Sequence, residues 1–316
     1  MTKLIKYFTI FFLFACLPAG AQGVRYTISP INADTVLDAD SLRTAVEALC
    51  AESMGGRATG TEGGRRAAAW LEEQFRSIGL EPVGGAWLHG FPTSAGMGRN
   101  VMGLIPGNAA EPRYIVLMAH YDNLGYLGGT FYPGADSNAS GVAALLQTAR
   151  MVKKMNECRK IYSASLIVVA LDAKEKNQAG AERLYSELSS YNIQLVVNLD
   201  QLGSGSSPIT KGNPRYLMML SDATTGRRSI LEQANEKAGT GLELGYDYYG
   251  SKDFTNLFFR RIGDQRVFLE NGIPAVMFTS GITLLNNKPG DVPSSLDYVL
   301  LKDRVRLIFR YLDQIL

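Results

Sequence analysis

A histidine and two aspartates stand close together where an apolar segment of the chain ends. His120 and Asp122 directly follow the apolar run 114–119, and Asp136 comes just before a predicted helix. Imidazole nitrogens and carboxylate oxygens are good ligands for zinc. Because the chain has only two histidines in all, the position of one of them beside two carboxylates predicts a metal site.

The elements that must position these residues alternate between strands and helices. Apolar runs typical of buried strands are found at 101–105, 114–119, 165–171, 193–199, 215–220 and 274–278. Apolar residues at helical spacing predict helices over 41–51, 65–78, 140–153, 181–188, 229–238 and 301–316. The alternation predicts a three-layer α/β fold, in which a central, mostly parallel but mixed sheet has helices on both faces.

Functional groups of such sheets gather at the carboxyl ends of the strands. The segment 172–175, which contains two carboxylates, follows the strand predicted at 165–171, and Asp200 follows the strand predicted at 193–199. We therefore expect acidic side chains from neighbouring strands to converge on His120, within the reach of one bound metal ion.

The amino-terminal residues form a different kind of segment. Lys3 and Lys6 precede the apolar run 8–17, and Ala19-Gly20-Ala21 then matches a cleavage site. This pattern predicts a signal peptide over 1–21, export to the periplasm or the extracellular space, and a single domain over 22–316. The apolar run is too short to span a membrane. In the alternative interpretation, Cys16 belongs to a lipoprotein box.

The charges of the chain are balanced. It has 32 lysines and arginines against 30 aspartates and glutamates, and two of the lysines lie in the predicted signal peptide. The mature chain therefore has 30 residues of each sign, which gives no electrostatic reason to expect nucleic acid as a partner. The remaining cysteines, Cys50 and Cys158, allow either a disulfide or two free thiols.

Several short motifs together make the chain resemble the co-catalytic zinc aminopeptidases. This is the family of the bacterial leucyl aminopeptidases, and glutaminyl cyclases are related to it. The resemblance runs from about Val46 to the carboxyl terminus. The motifs that carry it are Gly55-Gly56-Arg57-Ala58-Thr59-Gly60, Gly98-Arg99-Asn100-Val101, Ala119-His120-Tyr121-Asp122, the stretch 134–141, Asn198-Leu199-Asp200 and Gly272-Ile273-Pro274-Ala275.

The resemblance implies a pair of zinc ions, and the residues that match the first ion's ligands are all present. They are His120, Asp136 and Asp200. Asp122 matches the aspartate that orients the histidine ligand through its other ring nitrogen. Glu175 matches a glutamate that ligates the second zinc ion.

The match breaks in the other half of the implied site. Lys174 stands at the position of the glutamate that acts as general base, and Asn287 stands at that of the second histidine ligand. A lysine among carboxylates stays protonated and has no lone pair to accept a proton. A neutral amide is a weaker zinc ligand than imidazole. We expect Lys174 to pair with Glu175, and the site to hold one zinc ion or none.

Three functions are therefore open. The first is an exported zinc-aminopeptidase-like protein with impaired or absent catalysis, which binds a peptide, a small amino-terminal ligand or a glycan-derived ligand in the inherited cleft or acts through a partner. The second is an active hydrolase with a single metal ion, which cleaves peptides from the amino end. The third is a non-enzymatic binding or assembly protein of the cell envelope. The sequence does not determine which of these is right, nor the oligomeric state.

Overall fold

The computed structural model describes residues 32–158, 162–221 and 227–316. The predicted signal peptide, with Cys16, lies outside the described residues. The eight α-helices of the described part are α1 Ala39–Cys50, α2 Glu62–Ile78, α3 Ser140–Glu157, α4 Ala179–Glu187, α5 Arg227–Ala238, α6 Lys252–Leu257, α7 Arg266–Glu270 and α8 Tyr298–Ile315. None of these helices is both long enough and apolar enough to cross a membrane.

The ends of the predicted helices follow from their capping residues. Asp38, Thr61 and Asp297 accept backbone N–H groups at the starts of α1, α2 and α8, which satisfies donors that have no partner inside the helix. Gly79 adopts the left-handed conformation and ends α2, a position that favours glycine. All six helices predicted from apolar spacing are confirmed, with boundaries that shift by a few residues.

The strands of the described part form one large sheet and one small hairpin. They are β1 Glu81–Pro82, β2 Leu88–Thr93, β3 Gly96–Ile105, β4 Tyr114–His120, β5 Gly125–Leu127, β6 Thr130–Tyr132, β7 Ser165–Leu171, β8 Ile193–Leu199, β9 Tyr216–Ser221, β10 Glu243–Gly245 and β11 Ala275–Thr279. The large sheet has the order β1-β3-β7-β4-β8-β11-β9-β10, with β2 also paired to β3, and β5 pairs with β6.

The centre of the large sheet is parallel and its margins are mixed. Strands β7, β4, β8 and β11 run parallel to one another, whereas β3 is antiparallel to β7 and β9 is antiparallel to β11. The predicted mostly parallel, mixed sheet is therefore confirmed. Because β4 lies between β7 and β8, the residues that follow these three strands meet at one edge of the sheet.

Helices cover both faces of the sheet, as predicted for three layers. Successive side chains of a strand point to opposite faces. Leu117 of β4 packs in the core beneath α1, α2, α3, α5 and α8, whereas Met118 packs on the other side with residues of α4 and α7. This burial on both faces explains why the central strands have almost continuous apolar sequences.

Short and partly exposed elements escape the sequence pattern. Strands β2 and β10, the β5–β6 hairpin and helices α6 and α7 were not predicted, because segments of three to six residues with mixed polarity give no clear period.

Both cysteines in the described residues are free thiols, so the disulfide alternative does not apply to this structure.

Candidate active-site cleft

The predicted site residues follow the three neighbouring parallel strands of the sheet. His120 is the last residue of β4 and pairs in register with Leu171, the last residue of β7. Lys174 begins a 3₁₀ turn just after β7, and Asp200 follows β8 directly. The structure thus brings His120, Lys174 and Asp200 together, in the place that the strand order predicts.

The centre of the cleft is an ion pair that also contacts the histidine. The Lys174 ammonium donates to Asp200 Oδ2 at 2.7 Å and lies 3.0 Å from His120 Nε2. The other carboxylate oxygen of Asp200, Oδ1, is 3.5 Å from the same ring nitrogen. His120 and Asp200 are buried, and only 17% of the Lys174 side chain is exposed. The expected pairing of Lys174 with Glu175 is wrong, because the side chain turns inward to the deeper carboxylate.

Both members of this ion pair carry their charges. Burial alone would lower the pKa of Lys174, but the carboxylates of Asp200 and Asp264 outweigh it and hold that pKa above its usual value. Burial likewise opposes the charge of Asp200, yet the Lys174 ammonium and His120 hold the pKa of Asp200 well below its usual value. Lys174 therefore has no lone pair with which to accept a proton.

The ring of His120 is oriented by the residue two positions further along the chain. Its Nδ1 lies 3.1 Å from the backbone carbonyl oxygen of Asp122 and 3.7 Å from the carboxylate oxygen Oδ1 of Asp122. A carbonyl oxygen can only accept, so we assign the ring proton to Nδ1 and leave the lone pair of Nε2 facing Lys174. Burial and the Lys174 ammonium oppose a positive charge on the ring, but Asp122 and Asp200 outweigh them and raise the pKa of His120 to about 9. The contact of 3.0 Å nevertheless requires a free lone pair on Nε2, because the Lys174 ammonium can only donate, and we therefore assign the neutral ring.

Asp122 also positions the turn that carries Lys174. Its two carboxylate oxygens accept the backbone N–H groups of Lys174 and Glu175, each at 3.0 Å. Ala173, just before the turn, has a positive φ of 63°. Asp122 thus holds the histidine through its backbone carbonyl and the lysine turn through its carboxylate.

Asp136 is placed differently from Lys174 and Asp200. Its Oδ1 accepts the backbone N–H of Gly203 at 2.7 Å and the hydroxyl of Ser140 at 3.0 Å. Burial raises the pKa of this carboxyl to about 6. Among the described residues, no hydrogen bond joins Asp136 to Lys174. Asp136 instead holds the backbone at Gly203, in the segment that follows Asp200.

The remaining two predicted residues lie at the open end of the cleft. Glu175 is exposed, and Asn287 lines the cleft with a left-handed backbone, φ 56°, which asparagine tolerates better than most residues. The cleft has a volume of about 240 Å³. Beside Lys174, Glu175, Asp200 and Asn287, its lining consists of Ser137, Gln178, Gln201, Tyr248, Phe258, Ile262, Gly263, Met277, Ile282 and Asn286.

Three buried charged residues, Asp291, Arg57 and Asp264, were missed by reasoning from the sequence, whereas Asp172 belongs to the predicted segment 172–175. Asp172 accepts hydrogen bonds from the side chains of Thr59 and Tyr121 and from two backbone N–H groups. Asp291 accepts the backbone N–H groups of residues 136 and 137, and buried Arg57 donates to four backbone carbonyls. Asp264 is buried and neither of its carboxylate oxygens has a hydrogen-bond partner among the described residues. A buried charged residue inside a family motif, as Arg57 is, was the available signal.

The residues do not fit a zinc ion as they stand. Zinc would need the lone pair of His120 Nε2 and a carboxylate oxygen of Asp200 at about 2 Å. Both atoms instead face the Lys174 ammonium at hydrogen-bond distance. Within residues 32–158, 162–221 and 227–316, no group of three or more His, Cys, Asp and Glu side chains is arranged to hold a metal.

Comparison with known proteins relates the chain to metallopeptidases. Residues 100–311 match the model of peptidase family M28. An Escherichia coli protein named alkaline phosphatase isozyme conversion protein is 27% identical in an alignment of 201 residues, and the alignment covers 58% of this chain and 56% of that protein. A Danio rerio protein named BOS complex subunit ncln is 32% identical in an alignment of 121 residues, and the alignment covers 33% of this chain and 21% of the relative. The chain thus spans between 21% and 56% of the length of these two relatives.

A solved structure shows the same fold. BSAP, a zinc aminopeptidase from Bacillus subtilis, superposes with a TM-score of 0.68 at 15% sequence identity. The superposition covers 88% of this chain and 95% of the aminopeptidase. At that level of identity the likeness extends to the arrangement of strands and helices.

Proposed function

Because the chain belongs to peptidase family M28, we propose that it is an exported family member whose cleft binds a peptide or a small ligand with a free amino group without hydrolysing it. The observation that carries this proposal is the contact of the Lys174 ammonium with both Asp200 and His120. One side chain thereby replaces the general base and also occupies the lone pairs that a zinc ion would use. The predicted signal peptide supports export.

The ion pair makes the usual chemistry of the family unavailable. Hydrolysis of that kind needs a base that takes a proton from a water molecule activated by a metal ion. Lys174 is protonated and cannot accept that proton, and its charge compensates Asp200 in the absence of an ion. The cleft is lined by polar residues such as Asp200 and Gln201 and by apolar residues such as Phe258 and Met277, a combination that is suited to binding a ligand.

A non-enzymatic role in an assembly is the second candidate. It is favoured by the relative from Danio rerio, which is named as a subunit of a complex rather than as a peptidase. Neither candidate function includes hydrolysis. They differ in what the protein binds, which is a peptide or a small ligand in the first and another protein of an assembly in the second.

Metal analysis combined with an aminopeptidase assay tests the proposal. The wild-type protein should hold less than one zinc ion per chain after dialysis and should release no amino acid from aminopeptidase substrates, with or without added zinc. The double variant Lys174→Glu with Asn287→His should take up zinc, because it restores a carboxylate and an imidazole at the two substituted positions. Lys176→Glu, in the same turn but exposed, is the matched control and should not take up zinc.

Two results would overturn the proposal. One is a zinc ion, or a pair of zinc ions, tightly bound in each wild-type chain. The other is robust cleavage by the wild-type protein that Asp136→Ala abolishes, which would show a working hydrolase and favour the single-metal enzyme.

A further inference from the structure

The two walls of the cleft both expose large apolar side chains. The first wall is segment 252–262, in which Phe254 is 57% exposed, and the second is the loop 283–289, in which Leu284 is 97% exposed. Residues of both segments line the cleft, which therefore lies between them. Apolar side chains concentrated beside a cleft mark a surface that is covered in another state of the protein or in a complex.

The first wall presents a stripe of apolar side chains that leads out of the cleft. Phe254, Phe258 and Ile262 follow one another at intervals of four residues, in α6 and the helical turn 258–262 after it. That spacing places side chains on one side of a helix. The rings of Phe254 and Phe258 stack with centroids 6.1 Å apart. Because Phe258 and Ile262 line the cleft, Phe254 extends the stripe to its mouth.

The second wall has little that holds it to the rest of the protein. Among the described residues, one hydrogen bond joins the loop 283–289 to the preceding part of the chain, from Gln201 Nε2 to Asn286 Oδ1 at 2.7 Å. The other hydrogen bonds of the loop stay within residues 283–291. Because so few contacts must break, the loop can move while the strands and helices around it stay folded.

Both ends of the loop are fixed, and a glycine stands at each end. Ser280 donates two hydrogen bonds to a backbone carbonyl just after β8, and the carboxylate of Asp291 accepts two backbone N–H groups just before α3. Gly281, with a φ of 87°, and Gly290 lie between these anchors and the loop. Glycine adopts backbone conformations that are closed to other residues, so both positions are suited to act as hinges.

We infer that the loop 283–289 is a lid, which closes the cleft by packing its two exposed leucines against the apolar stripe of the first wall. Leu284 lies three residues from Gly281, so it can travel about 10 Å from that hinge. The structure shows the open state. Closure gives up the hydrogen bond of Asn286 and removes apolar surface of both walls from water. A closed lid would shield a molecule in the cleft from water and slow its release.

Disulfide trapping tests for the closed state without any ligand. Leu257→Cys with Leu285→Cys, the trapping pair, places one thiol on each wall and keeps Phe254 and Leu284 for closure. A disulfide forms only when the two Cα atoms come within about 7 Å of each other. Under mild oxidation of a dilute sample, the trapping pair should cross-link at least tenfold faster than the control pair, Leu88→Cys with Leu285→Cys. Peptide mass spectrometry identifies each disulfide and measures its rate of formation.

The control pair matches the trapping pair in exposure and differs in location. Leu88, Leu257 and Leu285 are 37%, 40% and 38% exposed. Leu88 lies in β2, five strand positions from β11, the strand that precedes the lid. Because neighbouring strands are about 4.8 Å apart, the lid would have to cross about 24 Å of the sheet to reach it.

Two further variants of the trapping pair separate closure from undirected loop motion. Phe254→Ser with Leu284→Ser should slow cross-linking at least fivefold, because it removes the apolar contact that favours the closed state. Asn286→Ala should speed cross-linking at least threefold, because it removes the hydrogen bond with Gln201 that favours the open state. None of the replaced side chains is buried, so folding should be preserved.

Three results would overturn the inference. They are equal rates for the trapping pair and the control pair, an unchanged rate in the serine variant, and an unchanged or lower rate after Asn286→Ala. The inference goes beyond the proposed function, because it depends neither on the ligand nor on the state of Lys174. The metal analysis and the aminopeptidase assay use chains without these changes, so the two proposals can fail separately.

Discussion

Replacement of Lys174 by methionine should destabilise the protein strongly. The side chain of Met fills nearly the same space but removes the only cation that hydrogen-bonds to Asp200 in the described structure. Asp200 is buried, and its carboxylate would keep only the contact of 3.5 Å between its Oδ1 and His120 Nε2. Loss of one member of a buried ion pair costs about 3 to 5 kcal/mol. Because little of either side chain is exposed, solvent screening reduces this cost only modestly.

The assay is urea unfolding followed by circular dichroism. Lys174→Met should lower the free energy of unfolding by about 3 kcal/mol or more. Addition of Asp200→Asn should recover about half of that loss or more, since it removes the uncompensated charge. Lys176→Met, in the same turn but exposed, should stay within about 0.5 kcal/mol of the wild type.

The reasoning would be refuted by a small effect. A cost below about 1 kcal/mol for Lys174→Met is typical of a surface pair and would show that the ammonium is solvated. Additive effects of Lys174→Met and Asp200→Asn would likewise show that the two side chains do not interact. Either result would also remove the main support for a cleft that lacks zinc.

Three further predictions concern residues around the cleft and the core. Burial raises the pKa of Asp264 to about 6. The folded protein therefore loses stability as this carboxyl ionises, between about pH 4 and about pH 6. Asp264→Asn should raise the free energy of unfolding at pH 8 by up to about 3 kcal/mol and leave it unchanged at pH 4. No gain at pH 8 would contradict the burial of an unpaired carboxylate. Burial raises the pKa of Cys50 to about 11, so at pH 8 a thiol reagent should modify half-buried Cys158 much faster than Cys50. Peptide mass spectrometry measures the two rates of modification, and equal rates would contradict this prediction. Arg57→Met should lower the free energy of unfolding by about 4 kcal/mol, since each of the four carbonyls left without its donor costs about 1 kcal/mol. A midpoint of thermal unfolding that hardly changes would show that these hydrogen bonds do not stabilise the fold.

The sequence by itself determined the central elements and the position of the site. Strands β7 and β8 have the predicted boundaries, because continuous apolar runs that end in polar residues can only be buried strands in this pattern. The convergence of His120 and Asp200 followed from the rule that parallel strands of such a sheet present their carboxyl ends at one edge. That Lys174 and Asn287 stand at substituted positions of the family's site stays a prediction from the resemblance.

Only the tertiary structure decided what Lys174 contacts. The direction of its side chain depends on the turn after β7, and that turn is held by hydrogen bonds to Asp122, more than fifty residues earlier in the chain. No local pattern distinguishes Asp200 from Glu175 as the partner, since both are carboxylates near the same turn. Contacts between residues distant in sequence carry no period, so they are set by packing alone.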